Sequence, residues 1–158
     1  MSKTHRTRTQ PITVELIKYV AYALARETMG WDEPIPPFET RYPNVLESSV
    51  NTPFQTFERK LLYRGVELKA AMLFYLLIKN HPFQNGNKRI AVASLLVFLA
   101  LNGRWLHVDP HRLYSTAVWV ASSHPEARED VVSYIQKFIK KHSVPVQPFQ
   151  PGRKISSS

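Results

Sequence analysis

The stretch LKAAMLFYLLIKNHPFQNGNKRIAVASLLVFLAL, from Leu68 to Leu101, decides the fold. Its first part places Leu68, Ala71, Met72, Tyr75, Leu76 and Ile78 in a wide apolar stripe at helical spacing. Pro82 disfavours helical geometry at the residue before it, so this helix is expected to stop near Asn80. A second helix is expected from about Gly86 to Leu101. Beyond Arg89 it is almost wholly apolar, which marks a buried central helix. Asn102-Gly103 supplies its C-terminal stop. Between the two helices lies a polar loop.

Outward from this pair the chain stays helical. Thr13 is a fitting N-cap for a helix over Val14 to Met29, with Leu16, Ile17, Val20, Ala23 and Leu24 on one face and Gly30 at its end. The proline-rich stretch 31–44 reads as irregular, and Val50 to Phe57 has weak strand or loop character. Asp109-Pro110 predicts an N-cap followed by proline at the first helical position. Ser123 with Glu126 predicts a capping box for a last helix that runs to about His142. The expected architecture is an all-α single domain over residues 12–142. A flexible basic arm (1–11) precedes it, and a disordered tail with proline and serine (143–158) follows it.

Composition narrows the function classes. The chain has 158 residues, which fits one domain, and it has no cysteine, which excludes disulfides and thiol chemistry. No apolar run reaches the roughly 18 residues of a membrane span. Met1 to Gln10 is polar, so a soluble cytoplasmic protein is expected. The net charge is +9, yet Lys3, Arg6, Arg8, Lys137, Lys140, Lys141, Arg153 and Lys154 lie in acid-free ends. The body is nearly neutral, so nucleic acid is not an expected partner. Trp105 and Trp119 read as packing residues. Asp109, between His107 and His111, reads as a helix cap and not as a metal ligand.

The chemistry concentrates in the loop His81-Pro82-Phe83-Gln84-Asn85-Gly86-Asn87-Lys88-Arg89. Gly86 permits close backbone approach to a ligand. The next residues open a helix, whose free N–H groups form an anion site. Lys88 and Arg89 place cations at a helix end that disfavours them, unless an anion offsets the charge. His81 can titrate near neutrality. A base beside a phosphate cradle points to phosphoryl or nucleotidyl transfer, and a capped helix–loop–helix is the bland alternative.

This stretch resembles the signature of the Fic/Doc family, His-x-Phe-x-Asp/Glu-Gly-Asn-Gly/Lys-Arg. It matches at His81, Phe83, Gly86, Asn87, Lys88 and Arg89. Residues from about Val45 to Ser123 resemble the Doc (death-on-curing) branch. The resemblance implies a helical bundle with a short flap before the central helices. It implies His81 as general base toward a hydroxyl of a target protein, and Phe83 as the buried anchor of the loop. Gly86 and Asn87 would shape the nucleotide-phosphate hole, where Lys88 and Arg89 neutralise the transferring phosphate. Target docking is implied for a flap within Val50 to Phe57, with Thr52, Phe54 and Gln55 as the candidates. The co-substrate would be ATP or another nucleoside triphosphate with Mg²⁺. The partners would be a target protein, by resemblance to Doc a translation factor, and an antitoxin.

Two departures from the family pattern matter. The family's metal-holding acid is Asn85 here, and an amide ligates Mg²⁺ without the charge that this hard cation prefers. That leaves open a catalytically weakened protein that binds a nucleotide or a protein without turnover. Secondly, Lys88 replaces the second glycine of the nucleotidyl-transferring branch, and Val92 occupies the place of its second arginine. Both features resemble Doc, whose branch phosphorylates proteins. The family's self-inhibitory helix motif is not visible, so an inhibitor is expected from another chain.

Overall fold

A computed structural model describes residues 8–152. Six helical stretches carry the fold. The first combines α1 (Val14–Leu16), a π-helical segment (Ile17–Ala21) and α2 (Tyr22–Thr28). Thr13 caps it, its hydroxyl accepting from the Leu16 N–H at 3.1 Å. The others are α3 (Pro43–Asn51), α4 (Val66–Lys79), α5 (Asn87–Leu101), α6 (Pro110–Ser122) and α7 (Arg128–His142). The expected all-α class is the observed one.

The helix α5 is the axle. From Arg89 to Leu99 every one of its residues is buried, because α2, α4 and α6 cover it on different sides. In turn α4 is buried from Lys69 to Ile78 between α5 and α7. This double burial is what the continuous apolar runs demanded. Lys69 is the exception inside that wall. Its ammonium donates to the Tyr63 carbonyl at 2.5 Å, and burial lowers its pKa from the ordinary lysine value. It ties the chain entering α4 to the helix itself. No helix among the described residues is long and apolar enough to cross a membrane.

Several expectations are corrected. Within the stretch read as irregular or extended, α3 begins at Pro43, which sits at the first helical turn. Leu46, Ser49 and Val50 form its buried face. No capping box forms at Ser123, whose hydroxyl donates to the Val120 carbonyl at 2.6 Å. His124 precedes Pro125 and is held extended (φ −71°, ψ 138°), so a 3-10 turn intervenes before α7. Trp105 and Trp119 do not pack inward; they are 43% and 45% exposed. Trp119 instead lies against Tyr134, ring centroids 4.8 Å apart.

The ends are more ordered than composition suggested. The strand β4 (Ser143–Pro145) pairs antiparallel with β3 (Arg104–Leu106), Trp105 opposite Val144. Pro145 is tolerated because the ladder is two strands wide and each strand is an edge. Further on, the Val146 and Phe149 N–H groups donate to the Gly103 and Ala100 carbonyls, each at 2.9 Å. The tail therefore does not begin at residue 143. At the other end, Gln10 exchanges two hydrogen bonds with the Asn102 side chain, at 2.7 and 3.0 Å, so residue 10 is docked. Residues 1–7 and 153–158, the rest of the expected arm and tail, lie outside the described residues.

Candidate functional site

The loop between α4 and α5 is built by its own motif. Asn80 caps α4, and His81 follows with φ +50°, in the left-handed region where glycine is the usual occupant. Holding a histidine there costs about 1–2 kcal/mol. The Tyr42 N–H donates to the Pro82 carbonyl at 2.9 Å. Phe83 is buried, its ring 5.9 Å from that of Phe38. Asn87 closes the loop in both directions. Its oxygen accepts from the Phe83 N–H at 2.9 Å, and its nitrogen donates to the Phe83 carbonyl at 2.8 Å. Its side chain is thus spent on the loop's shape.

Gly86 has φ +80° at the N-cap of α5. A Cβ there would lie 2.9 Å from Ile35 Cγ1. Backbone conformation and packing therefore both require glycine.

Arg89 departs most from its expected setting. It is 2% exposed. Its guanidinium donates to the Met29 carbonyl at 3.2 Å and to the Glu33 carbonyl at 2.6 Å. Rigid planar donors suit such a buried double contact. Arg89 thereby locks the loop after α2 onto the start of α5. Lys88 is half-buried, and among the described residues no carboxylate comes within ion-pair distance of it.

These elements enclose a cavity of about 220 Å³, lined by His81, Gln84 to Arg89, Asp32, Ile78, Tyr114 and Ala121. The structure thus brings His81, Asn85, Gly86, Asn87, Lys88 and Arg89 together on one space. Asp32, Tyr114 and Ala121 were not among the site residues read from the sequence, because they come from the loop after α2 and from α6, far away in the chain. Trp31 stands beside them, its ring 4.2 Å from His111 and 5.4 Å from Tyr114.

For a hard divalent cation the cavity offers oxygen donors of the right kind. The Asn85 amide oxygen already accepts from the Gly86 N–H at 2.8 Å. Asp32 is the one carboxylate in the lining. A magnesium ion fits this donor set when phosphate oxygens complete it. Among the described residues no group of three or more His, Cys, Asp or Glu side chains is placed to hold a metal ion. Asp109 caps α6, its Oδ1 accepting from the His111 N–H at 2.8 Å.

The flap candidates lie elsewhere on the surface of the fold. Thr52 and Phe54 sit in a 3-10 turn (Thr52–Phe54), not in a strand. The Thr52 hydroxyl donates to the Ser48 carbonyl at 2.7 Å, and Phe54 packs edge-on against Phe98. Pro53 is buried between them and removes a strand donor. Gln55 is exposed and leads into a hairpin, β1 (Thr56–Phe57) with β2 (Lys60–Leu61). Its tip residues, Glu58 and Arg59, both have positive φ.

The site is thus a glycine-led helix start between two buried helices, with a histidine beside the cavity. A family model described as the Fic/DOC family matches residues 11–99, more than half of the chain. The chain belongs to the Fic/DOC family. Members of this family transfer groups from nucleoside triphosphates to proteins, usually with a divalent metal. Protein targets and antitoxin partners are general features of the family. No curated protein and no solved structure matches the chain.

Proposed function

We propose that the chain is a Doc-like transferase that moves a phosphate from a nucleoside triphosphate to a hydroxyl of a target protein, as the toxin of a toxin–antitoxin pair. The convergence of His81, Lys88 and the N-terminus of α5 on one cavity carries this reading. The His81 imidazole takes the proton of the acceptor hydroxyl as its oxygen bonds to the γ-phosphorus. The bond from that phosphorus to the bridging oxygen breaks, and nucleoside diphosphate leaves with the electron pair. Lys88 and the first N–H groups of α5 offset the phosphate charge. Arg89 acts on the same centre mainly by holding the cavity's two walls together. A bound Mg²⁺ would neutralise phosphate charge, with Asn85 and Asp32 as the oxygen donors of this chain.

Phosphoryl transfer is favoured over nucleotidyl transfer by Lys88 and by Val92. Val92 is fully buried, so the cavity has no second arginine one turn along α5. The hairpin and the Thr52–Gln55 turn before it are the proposed docking flap for the target, a translation factor by resemblance. A cytoplasmic site of action follows from such a target.

Calorimetric titration with nucleoside triphosphate tests the cradle. Binding is expected, and Lys88→Ala should weaken it about 10–100-fold, the loss of one charge-assisted hydrogen bond. No heat at millimolar nucleotide contradicts the reading.

A further inference from the structure

We propose that Asp32 is the anionic ligand through which this chain holds a divalent cation on its bound nucleotide. The proposal rests on the nucleotide-transfer reading above and assigns a task to a residue outside the motif. Three observations carry it. The first is chemical. The lining holds Lys88, Arg89, the start of α5 and a single carboxylate, that of Asp32. A cation held on phosphates prefers hard, charged oxygen, whereas Asn85 offers only a neutral amide oxygen that also accepts from the Gly86 N–H at 2.8 Å.

The second is positional. The loop that carries Asp32 is fixed on both sides by the machinery of the cavity. Arg89 holds the carbonyls of Met29 and Glu33, and the Trp31 ring lies 4.2 Å from His111. Three residues beyond Asp32, Ile35 fills the space left open by Gly86. The Asp32 side chain is exposed at the mouth of the cavity, on a loop whose backbone these contacts hold. Its position depends on the same residues that shape the cradle.

The third is availability. Asp32 Oδ1 accepts from the Glu33 N–H at 2.8 Å, a bond that orients the carboxylate. Among the described residues no ion pair engages Asp32, although Lys88 lines the same cavity. A carboxylate left unpaired beside cations, and held by its own backbone, is suited to a mobile charge that arrives with the nucleotide. The cation is expected to bind with nucleotide and only weakly without it.

The test is Mn²⁺ binding, followed by loss of the free-ion electron paramagnetic resonance signal, with a non-hydrolysable ATP analogue present. Removing groups that merely support a metal ligand costs about 10–100-fold in metal affinity, so Asp32→Asn should weaken Mn²⁺ binding by at least about tenfold. Nucleotide affinity in chelator should not fall, since the substitution removes a negative charge beside the phosphates. Asn85→Asp placed on Asp32→Asn should restore Mn²⁺ binding by returning a carboxylate to the same cavity. Circular dichroism of each variant excludes a folding defect. Unchanged Mn²⁺ affinity in Asp32→Asn overturns the proposal and leaves the nucleotide reading intact. An equal loss of nucleotide affinity in chelator also overturns it, because Asp32 would then serve the nucleotide and not the metal. Wild-type protein that binds no nucleotide, with or without Mn²⁺, overturns both.

Discussion

His81 joins a structural cost to the proposed role of general base. It occupies the position after a helix C-cap, with φ +50°, where glycine or asparagine is the common choice. A strained residue at a cavity lip is a recurrent mark of functional sites. Asparagine tolerates the left-handed region but cannot act as a base near neutrality. His81→Asn is therefore expected to keep or raise the melting temperature while transfer falls about 10²–10⁴-fold, the contribution of a general base. Thermal melts beside a phosphorylation assay check both halves. A variant that unfolds, or one that retains full transfer, contradicts the account of this residue.

At the scale of elements, the joint between α5 and the loop after α2 depends on Arg89. From sequence, a first-turn arginine is a surface cation that contributes little to stability. In the structure it is buried and satisfies two main-chain carbonyls. Arg89→Ala leaves both carbonyls without that partner, so a loss of about 2–4 kcal/mol is expected in urea denaturation. A loss below about 0.5 kcal/mol, the range of ordinary surface substitutions, contradicts it. The same contrast explains what was legible. The runs that became α4 and α5 were readable because their apolar residues leave no alternative to burial. The cap at Asp109 and the stop at Asn80 were readable because proline and side-chain caps act within a few residues. The start of α7 was misread because Pro125 governs His124 more strongly than the Ser123 and Glu126 pair can. The helix α3 escaped notice because Asn44, Ser48, Ser49 and Asn51 are weak helix formers, and packing of Leu46 and Val50 supplies the deficit.

For the whole molecule, the half of the site that lies in one loop was legible and the half assembled by packing was not. Asp32 and Tyr114 share a cavity with Lys88 only because α2 and α6 both lean on α5. No local pattern encodes that meeting. The ends show the same limit: Pro and Ser suggested a free tail from residue 143, yet pairing with β3 captures its first residues. As a unit, the protein is expected to slow bacterial growth when expressed alone. Wild-type growth should return with His81→Asn, or with the co-expressed product of a small adjacent gene. A growth curve indistinguishable from an empty vector, with soluble protein confirmed, contradicts the toxin role.

The central claim is transfer of the terminal phosphate to a protein. The direct measurement is incubation with ATP labelled separately at the α- and γ-phosphates, with cell lysate as acceptor. The account predicts one or a few labelled proteins from the γ-label, none from the α-label, and no labelling with His81→Asn. Protein labelled from the α-phosphate would mean nucleotidyl transfer, and label from neither position, with nucleotide bound, would mean a binding module without turnover. Either result contradicts the claim.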